Sequence, residues 1–448
     1  MAPTPTRIDV DAGQLRDAAR GLAANTNAVS AAYSKVSAAM QSISGMAGSD
    51  PAAQEWGAGF DEFLAQVLET HYSAVGALAN CAELTDATAV NHLNADGQSV
   101  VGPKPPPEAL GISKENLAVV CHAAPPPSAG GAGEGKPWWW AEIEHLVRNI
   151  WPNGHQDRLH GAAAALRAAA SELRTAAEEM QPHIANVEKQ ISPEIDSATV
   201  TLIKMQTGLR SVAGSYDQLA QSCDDQAAHI DTAHSEMEEA AAELVAMLLL
   251  DVVTDGLLTE MVAVVAARVL EIYERFRTLL RAARVAMKGT KEGAGVTKRA
   301  LDSIKELLSR VKSFKQAENE RLPPPKDRDL TEPTGDPATA HLPPLRQHYI
   351  KDVEDNLGSL EQELRSQGAT DEQIARALQA ERRSIGQEYK DLTPEPMKSE
   401  IYGRNQERYG DPLGPTYDYL KNEKGLTDQQ IIDGAKRTGG GDLGLGKK

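Results

Sequence analysis

The chain has 448 residues, with 46 Lys and Arg against 64 Asp and Glu and a formal net charge of -18. That excess of acid argues against a protein that coats nucleic acid or lies on an anionic membrane surface. Aromatic residues make up only 4% of the chain, and all five Trp fall at or before Trp151. Few bulky cores can be built from this, so a mainly α fold is expected, with elongated bundles packed through Ala and Leu and a small, mostly helical C-terminal domain.

The opening stretch "MAPTPTRIDVDAGQLRD" has neither a basic n-region nor an apolar h-region, so no Sec-type signal peptide is expected. Residues 1–100 read as a helical hairpin. Leu15, Leu22, Val29 and Val36 recur every seven residues, as do Ala19, Thr26, Tyr33 and Met40, with Asp11 as N-cap. Turn residues follow in "SGMAGSDPAAQEWGAGF", which places a Trp-Gly turn at Trp56 and Gly57. Phe60, Leu64, Val67, His71, Ala74, Leu78 and Cys81 then mark the seam of a second, antiparallel helix.

Residues 101–137 are rich in Pro and Gly and read as an extended or flexible linker. A long helical bundle is expected over 138–320, beginning at "WWWAEIEHLVRNIWPNGHQDRLHG". Leu159, Leu166, Leu173 and Met180 keep one heptad phase. Leu202, Leu209, Tyr216, Cys223, Ile230, Met237 and Leu244 keep another, joined by Met205, Val212, Leu219, Ala233 and Ala240, with Gln226 as the one polar interruption. A repeat this long specifies a helix of more than about forty residues in coiled-coil-like pairing. Further helices are expected over about 245–285 and 297–318. The most apolar stretch, Leu244 to Val269, is broken by Asp251, Asp255 and Glu260. Its charge-free run falls short of the ~18 residues of a membrane span. Cys81, Cys121 and Cys223 form no disulfide framework and no CxxC pair. Cys121 lies in the linker, where it can oxidise, and Cys223 falls on a seam as a small apolar residue.

A second linker occupies 321–343, and the composition changes beyond it. Residues 344–448 lack Phe and Trp, carry six of the ten Tyr, and hold 16 Lys and Arg against 19 Asp and Glu, a nearly neutral module. His348 and Asp352 share a helix face at i,i+4. Thr370 and Gln373 have the spacing of a capping box. Arg382, Arg383 and Lys390 read as a solvated basic face. The turn-rich "YGDPLGPT" holds Tyr409 and Asp411 beside Arg404 and Asn405, and Lys436, Arg437 and Thr438 precede three glycines suited to an anion.

This layout resembles a polymorphic toxin exported by an actinobacterial type VII (ESX) system. The hairpin with Trp56 in "QEWGAGF" is similar to WxG-type helical hairpins, although Ala58 stands where a strict Trp-x-Gly has glycine. The Tyr-x-x-x-Asp/Glu export signal is missing after the hairpin, its only match being Tyr419 to Glu423. The segment from the Trp triplet to "SELR" is similar to helical targeting regions of such proteins, and the resemblance covers roughly residues 1–320. Trp56, Gly57 and Trp151 are its export-related residues. The C-terminal segment looks like toxin domains carried by contact-dependent and Rhs-type proteins. The resemblance implies secretion through the type VII system, small helical WxG-type partners, a secretion ATPase, a cognate immunity protein and action in a target cell.

For chemistry, no HExxH, GxxxxGK with Ser or Thr, strand-borne GxGxxG or GxSxG occurs at these sites, and neither a metal nor a cofactor is expected. The available groups fit metal-independent cleavage of RNA. His348 or Asp411 would be the base, Arg404 and Arg437 phosphate clamps, Lys436 the oxyanion stabiliser and Tyr409 a stacking or proton-donating group. An enzyme degrading NAD or another nucleotide is the alternative, as is a non-enzymatic module binding a protein or membrane.

Overall fold

The computed structural model describes residues 8–99, 123–131, 135–148, 150–250, 255–310 and 329–437. Cys121, Asp251, most of the first linker, part of the second, and Thr438 with its glycine run lie outside the described residues. The architecture is helical; among the described residues, strand-like pairing is confined to the isolated bridges Asp9–Ile191 and Gly48–Ala129.

Helix α1 spans Ala12–Met40 and α2 spans Pro51–Ser99. After the short α3 (Trp140–Val147) come α4 (Gln156–Glu188), α5 (Pro193–Leu250) and α6 (Asp255–Arg310). Four of them form a ring in which α1 packs on α2 and α4, and α5 on α2 and α4; α6 lies along α2 and α5. The heptad positions explain the ring. Leu15, Leu22, Val29 and Val36 of α1, Leu159 to Met180 of α4 and Leu202 to Leu244 of α5 are all buried in one apolar core. Cys223 is buried among them, and burial pushes its thiol pKa up.

His71, on the α2 seam, is fully buried and satisfied across three helices. Its Nε2 lies 3.0 Å from the Val29 carbonyl and its Nδ1 3.0 Å from the Tyr216 hydroxyl. A carbonyl only accepts, so the proton sits on Nε2 and Nδ1 accepts from Tyr216. Burial lowers the His71 pKa to about 4, which keeps the ring neutral. Gln226 has no such solution: both its amide atoms are buried without a hydrogen-bond partner.

Three expectations are corrected. Trp56 is not in the turn between α1 and α2, which runs over residues 41–50, but in the second turn of α2. It is wholly buried there, stacked on Phe60 at 4.9 Å, with its Nε1 donating to Ser222 Oγ of α5 at 3.0 Å. The turn closes instead on Asp50, whose Oδ1 accepts from the Ala52 and Ala53 amides and from the Tyr273 hydroxyl. Second, part of the first linker is tightly placed. Gly45 donates to the Pro127 carbonyl, Ala47 to that of Ser128, and the Ser128 amide to the Asp61 carboxylate. Gly57 makes room for it, since a Cβ there would stand 2.9 Å from Ala129 Cβ and Ser128 Oγ. Third, the two helices expected after residue 245 are one continuous α6 from Asp255. Its glycine-rich middle is held by Gln66 Nε2 donating to the Lys291 carbonyl and by a Ser211–Thr297 hydroxyl contact at 2.7 Å. No helix among the described residues is long and apolar enough to cross a membrane.

The C-terminal residues add α7 (Pro344–Ser366), α8 (Asp371–Asp391), α9 (Met397–Tyr409), a π-helical turn at Tyr419–Glu423 and α10 (Asp428–Lys436). The capping box at Thr370 and Gln373 starts α8, as the spacing requires. Helix α8 is the hub, packing on α5, α7 and α10.

Candidate functional site

The six residues singled out for catalysis do not converge: His348, Tyr409, Asp411 and Lys436 contact different elements, and Arg404 and Arg437 are exposed. The Nε2 of His348 lies 3.0 Å from the Glu332 carbonyl, while Asp352, expected to orient it, accepts from the Tyr389 hydroxyl at 2.6 Å. Arg404 is exposed on α9. Tyr409, at the end of the same helix, meets Tyr419 edge-on at 5.5 Å. Asp411 is buried; its Oδ2 pairs with Arg383 at 2.7 Å and its Oδ1 accepts from the Leu413 amide. Lys436 pairs with Glu361 of α7 at 2.7 Å, and Arg437 is exposed just past α10. Of the export-related residues, Trp151 is buried, stacked on His234 of α5 at 4.2 Å and edge-on to Trp140 at 5.1 Å.

What the structure does bring together is a line of charge between α8 and the α4–α5 turn. Arg383 is buried and reaches Asp411 at 2.7 Å and Asp196 of α5 at 3.5 Å. One helical stretch earlier, Arg376 pairs with Glu188 of α4, with Glu372 and with Asp418, and covers the Tyr417 ring at 4.2 Å. One stretch later, Lys390 donates to the Leu413 carbonyl at 2.5 Å. Burial dominates the electrostatics. It raises Asp196 to about 7 against the pull of Arg383, raises Glu188 against that of Arg376, and lowers Lys390 to about 8. Arg383 and Lys390 are therefore not a solvated face, and Arg382 donates to the Ala435 carbonyl. Sequence inspection could have found the line, because Arg376, Arg383 and Lys390 recur at seven-residue intervals. A cation repeated at the heptad period faces one neighbour.

Next to the end of this line, helices α7, α8 and α9 border an open pocket of about 430 Å³. Tyr349 and Tyr389 meet there edge-on at 5.5 Å, and the Arg346 guanidinium lies 4.7 Å above the Tyr349 ring. Lys390 and Gly386 complete its α8 wall. These residues carried no signal in the sequence, since no motif spans the loop that separates α7 from α8. Among the described residues, no group of three His, Cys, Asp or Glu is disposed to hold a metal ion.

Residues 124–273 match the family model of a WXG100 like domain. That match begins at the segment packed beside Gly57 and runs through α3, α4 and α5 into α6, so it lies beyond Trp56 and covers a different part of the resemblance from the hairpin. The chain is 28% identical over 252 residues to the outer membrane channel protein CpnT of Mycobacterium tuberculosis and of Mycobacterium bovis BCG, covering 54% of this chain and 28% of that protein. It is 26% identical over 165 residues to a Mycobacterium avium protein named "Putative NAD(+)--arginine ADP-ribosyltransferase Mav", covering 37% of this chain and 19% of that protein. The chain thus spans little more than a quarter of the length of the first of these relatives. No solved structure matches it.

Proposed function

We propose that this protein is exported by a type VII secretion system, with helices α1 to α6 as the carrier and residues 344–448 as an effector that acts on a nucleotide. The observation that carries this reading is the WXG100-like match over 124–273, which falls on the longest heptad-patterned helices of the chain. In this reading the carrier meets small helical secretion partners and the secretion ATPase, and an immunity protein shields the producer. Similarity to a protein named for NAD chemistry favours a nucleotide over RNA as the target. The RNA-cleaving arrangement drew on Asp411 and Lys436 as free catalytic groups, whereas both are engaged in ion pairs.

The test expresses the full chain in a host with and without its type VII secretion ATPase, and separately in the cytoplasm of a sensitive cell. Export that depends on the ATPase supports the carrier. In the second arm, growth, total RNA and NAD are followed together. A fall in NAD or another nucleotide with intact RNA is the expected result. Degraded RNA restores cleavage by the six sequence-selected residues, and arrest with both pools intact points to a non-enzymatic binding module.

A further inference from the structure

The contact between α2 and α6 is a ladder of ion pairs with one rung missing. Four α6 cations at seven-residue spacing, Arg277, Arg284, Lys291 and Lys298, lie along α2. Three of them meet an acid: Arg277 pairs with Glu55 at 2.6 Å, Lys291 with Glu62, and Lys298 with Glu69 at 3.2 Å. The pairings ascend together, so the two helices run parallel. Arg284 meets Gly59 instead, where a Cβ would stand 2.9 Å from the Arg284 Cγ. Lys288, one turn further along α6, is left over as well. Among the described residues neither Arg284 nor Lys288 has an ion pair or a hydrogen bond, and both feel Glu62 only at longer range. With no side chain at Gly59, the space in front of these two cations is an open groove of about 610 Å³. Both cations are exposed, and so is Val285 between them, at 71%.

A partner that completes the ladder must bring carboxylates. Anionic membranes and nucleic acids are poor occupants, because their affinity grows with the number of cations engaged. Only two cations are free here, on a chain with a net charge of -18. A small free anion would leave Val285 in water. A helix laid between α2 and α6 uses all three residues. Acids one turn apart on it pair with Arg284 and Lys288, themselves one turn apart, and an apolar side chain covers Val285. We propose that the α2–α6 groove at Gly59 docks an acidic amphipathic helix of a partner protein, whose carboxylates take the place of the acid that α2 lacks. Arg281 and Lys291 border the same groove but are engaged with Glu55 and Glu62, so they mark its ends and leave the partner to Arg284 and Lys288. The surface is available whether or not the chain is exported, so its test is independent of the carrier reading.

The probe is an alanine-based helical peptide of about twenty residues, with Glu residues four apart beside Leu on one face, and its control carries Gln for each Glu. Fluorescence anisotropy against the full chain at low salt should show the Glu peptide binding about three- to tenfold tighter than the Gln peptide, the range that two exposed ion pairs allow. The chain as a whole is acidic and repels the Glu peptide, so this preference reports the groove. High salt should erase it. Gly59→Glu supplies the missing acid from α2 itself and should abolish the preference with the helical circular dichroism unchanged. Arg284→Gln combined with Lys288→Gln alters only exposed side chains, should have the same effect, and decides the matter if Gly59→Glu does not fold. The proposal is overturned if neither peptide binds at millimolar concentration, if the Gln peptide binds as well as the Glu peptide, or if the folded double variant keeps the preference. It is overturned equally if inorganic triphosphate displaces the Glu peptide at the same concentration as free Glu peptide does, which makes this a small-anion site. Phosphatidylserine vesicles that bind the parent chain but not the double variant would overturn it in favour of a membrane.

Discussion

The α1–α6 bundle and the α7–α10 module share one apolar core, but only the seat of the module adds a line of buried charge to it. Inside the bundle the contacts are Ala, Leu, Val and Met, with a few polar residues such as His71 satisfied across helices. Between module and bundle the apolar core continues, since Leu364, Ile374, Ala375 and Leu378 belong to the same buried cluster, and ionic and amide contacts are added to it: Arg383 with Asp196, Arg376 with Glu188, Lys204 with Glu363, and Gln373 with Gln206. Apolar packing is indifferent to pH and is lost only by unfolding. Buried ion pairs are costly to desolvate and contribute little net stability, but they are strongly specific and collapse when one partner is removed. The bundle is therefore held mostly by apolar packing, and the seat of α7–α10 adds buried contacts that respond to charge.

Two substitutions would break this contrast most severely. Trp56→Ala removes a wholly buried ring and its bond to Ser222, and should lower the unfolding free energy by about 3–5 kcal/mol, read as one cooperative shift of the whole helical signal in urea. Arg383→Ala strands Asp196 and Asp411, a loss of about 3–5 kcal/mol, but hydrogen exchange should rise in α8 and the residues 410–436 while α1 and α4 stay protected. Equal loss of protection throughout would show that module and bundle are one cooperative unit.

A smaller effect of opposite sign is expected at Gln226, whose amide is buried and unpartnered in an otherwise apolar seam. Gln226→Leu should stabilise the bundle by about 1–3 kcal/mol, the usual cost of leaving such a group unsatisfied, seen as a raised thermal midpoint. An unchanged midpoint would mean that the amide finds partners in solution.

The junction should also titrate. Asp196 faces Arg383 and Lys390 from α8, Asp411 from the loop after α9, and Glu188 from α4. Its folded pKa of about 7 lies above the unfolded value of 3.8, so the native state holds the extra proton between them. Its contribution is fully present below the lower value and is lost as pH rises towards 7, with a slope of at most ~1.4 kcal/mol per pH unit. Asp196→Asn should flatten that part of the stability profile; a variant profile parallel to the parent would assign the dependence to other groups. The gentlest change is Thr370→Ala, which removes the α8 capping box and should cost about 1 kcal/mol, measured as faster exchange of the first α8 amides with the bundle unaffected.

The heptad positions of α1, α2, α4 and α5, the Asp11 and Thr370 caps and the predominance of helix were all readable from the chain, because each rests on spacing within a dozen or so residues. Spacing could not say that Trp56 packs on α5 rather than lining a turn, nor that the glycines after Lys288 continue a helix, since both outcomes depend on a partner more than a hundred residues away. The site was less legible still. Arg404, Tyr409 and Asp411 around "YGDPLGPT" form a cluster in the sequence, yet Asp411 is committed to Arg383, and the aromatic pocket is assembled from Arg346, Tyr349, Gly386, Tyr389 and Lys390 on two separate helices. Local periodicity is set by bonds along the chain and survives in one dimension. Which charge is buried, and which ring borders a cavity, is set by how helices meet, and only the tertiary structure decided it.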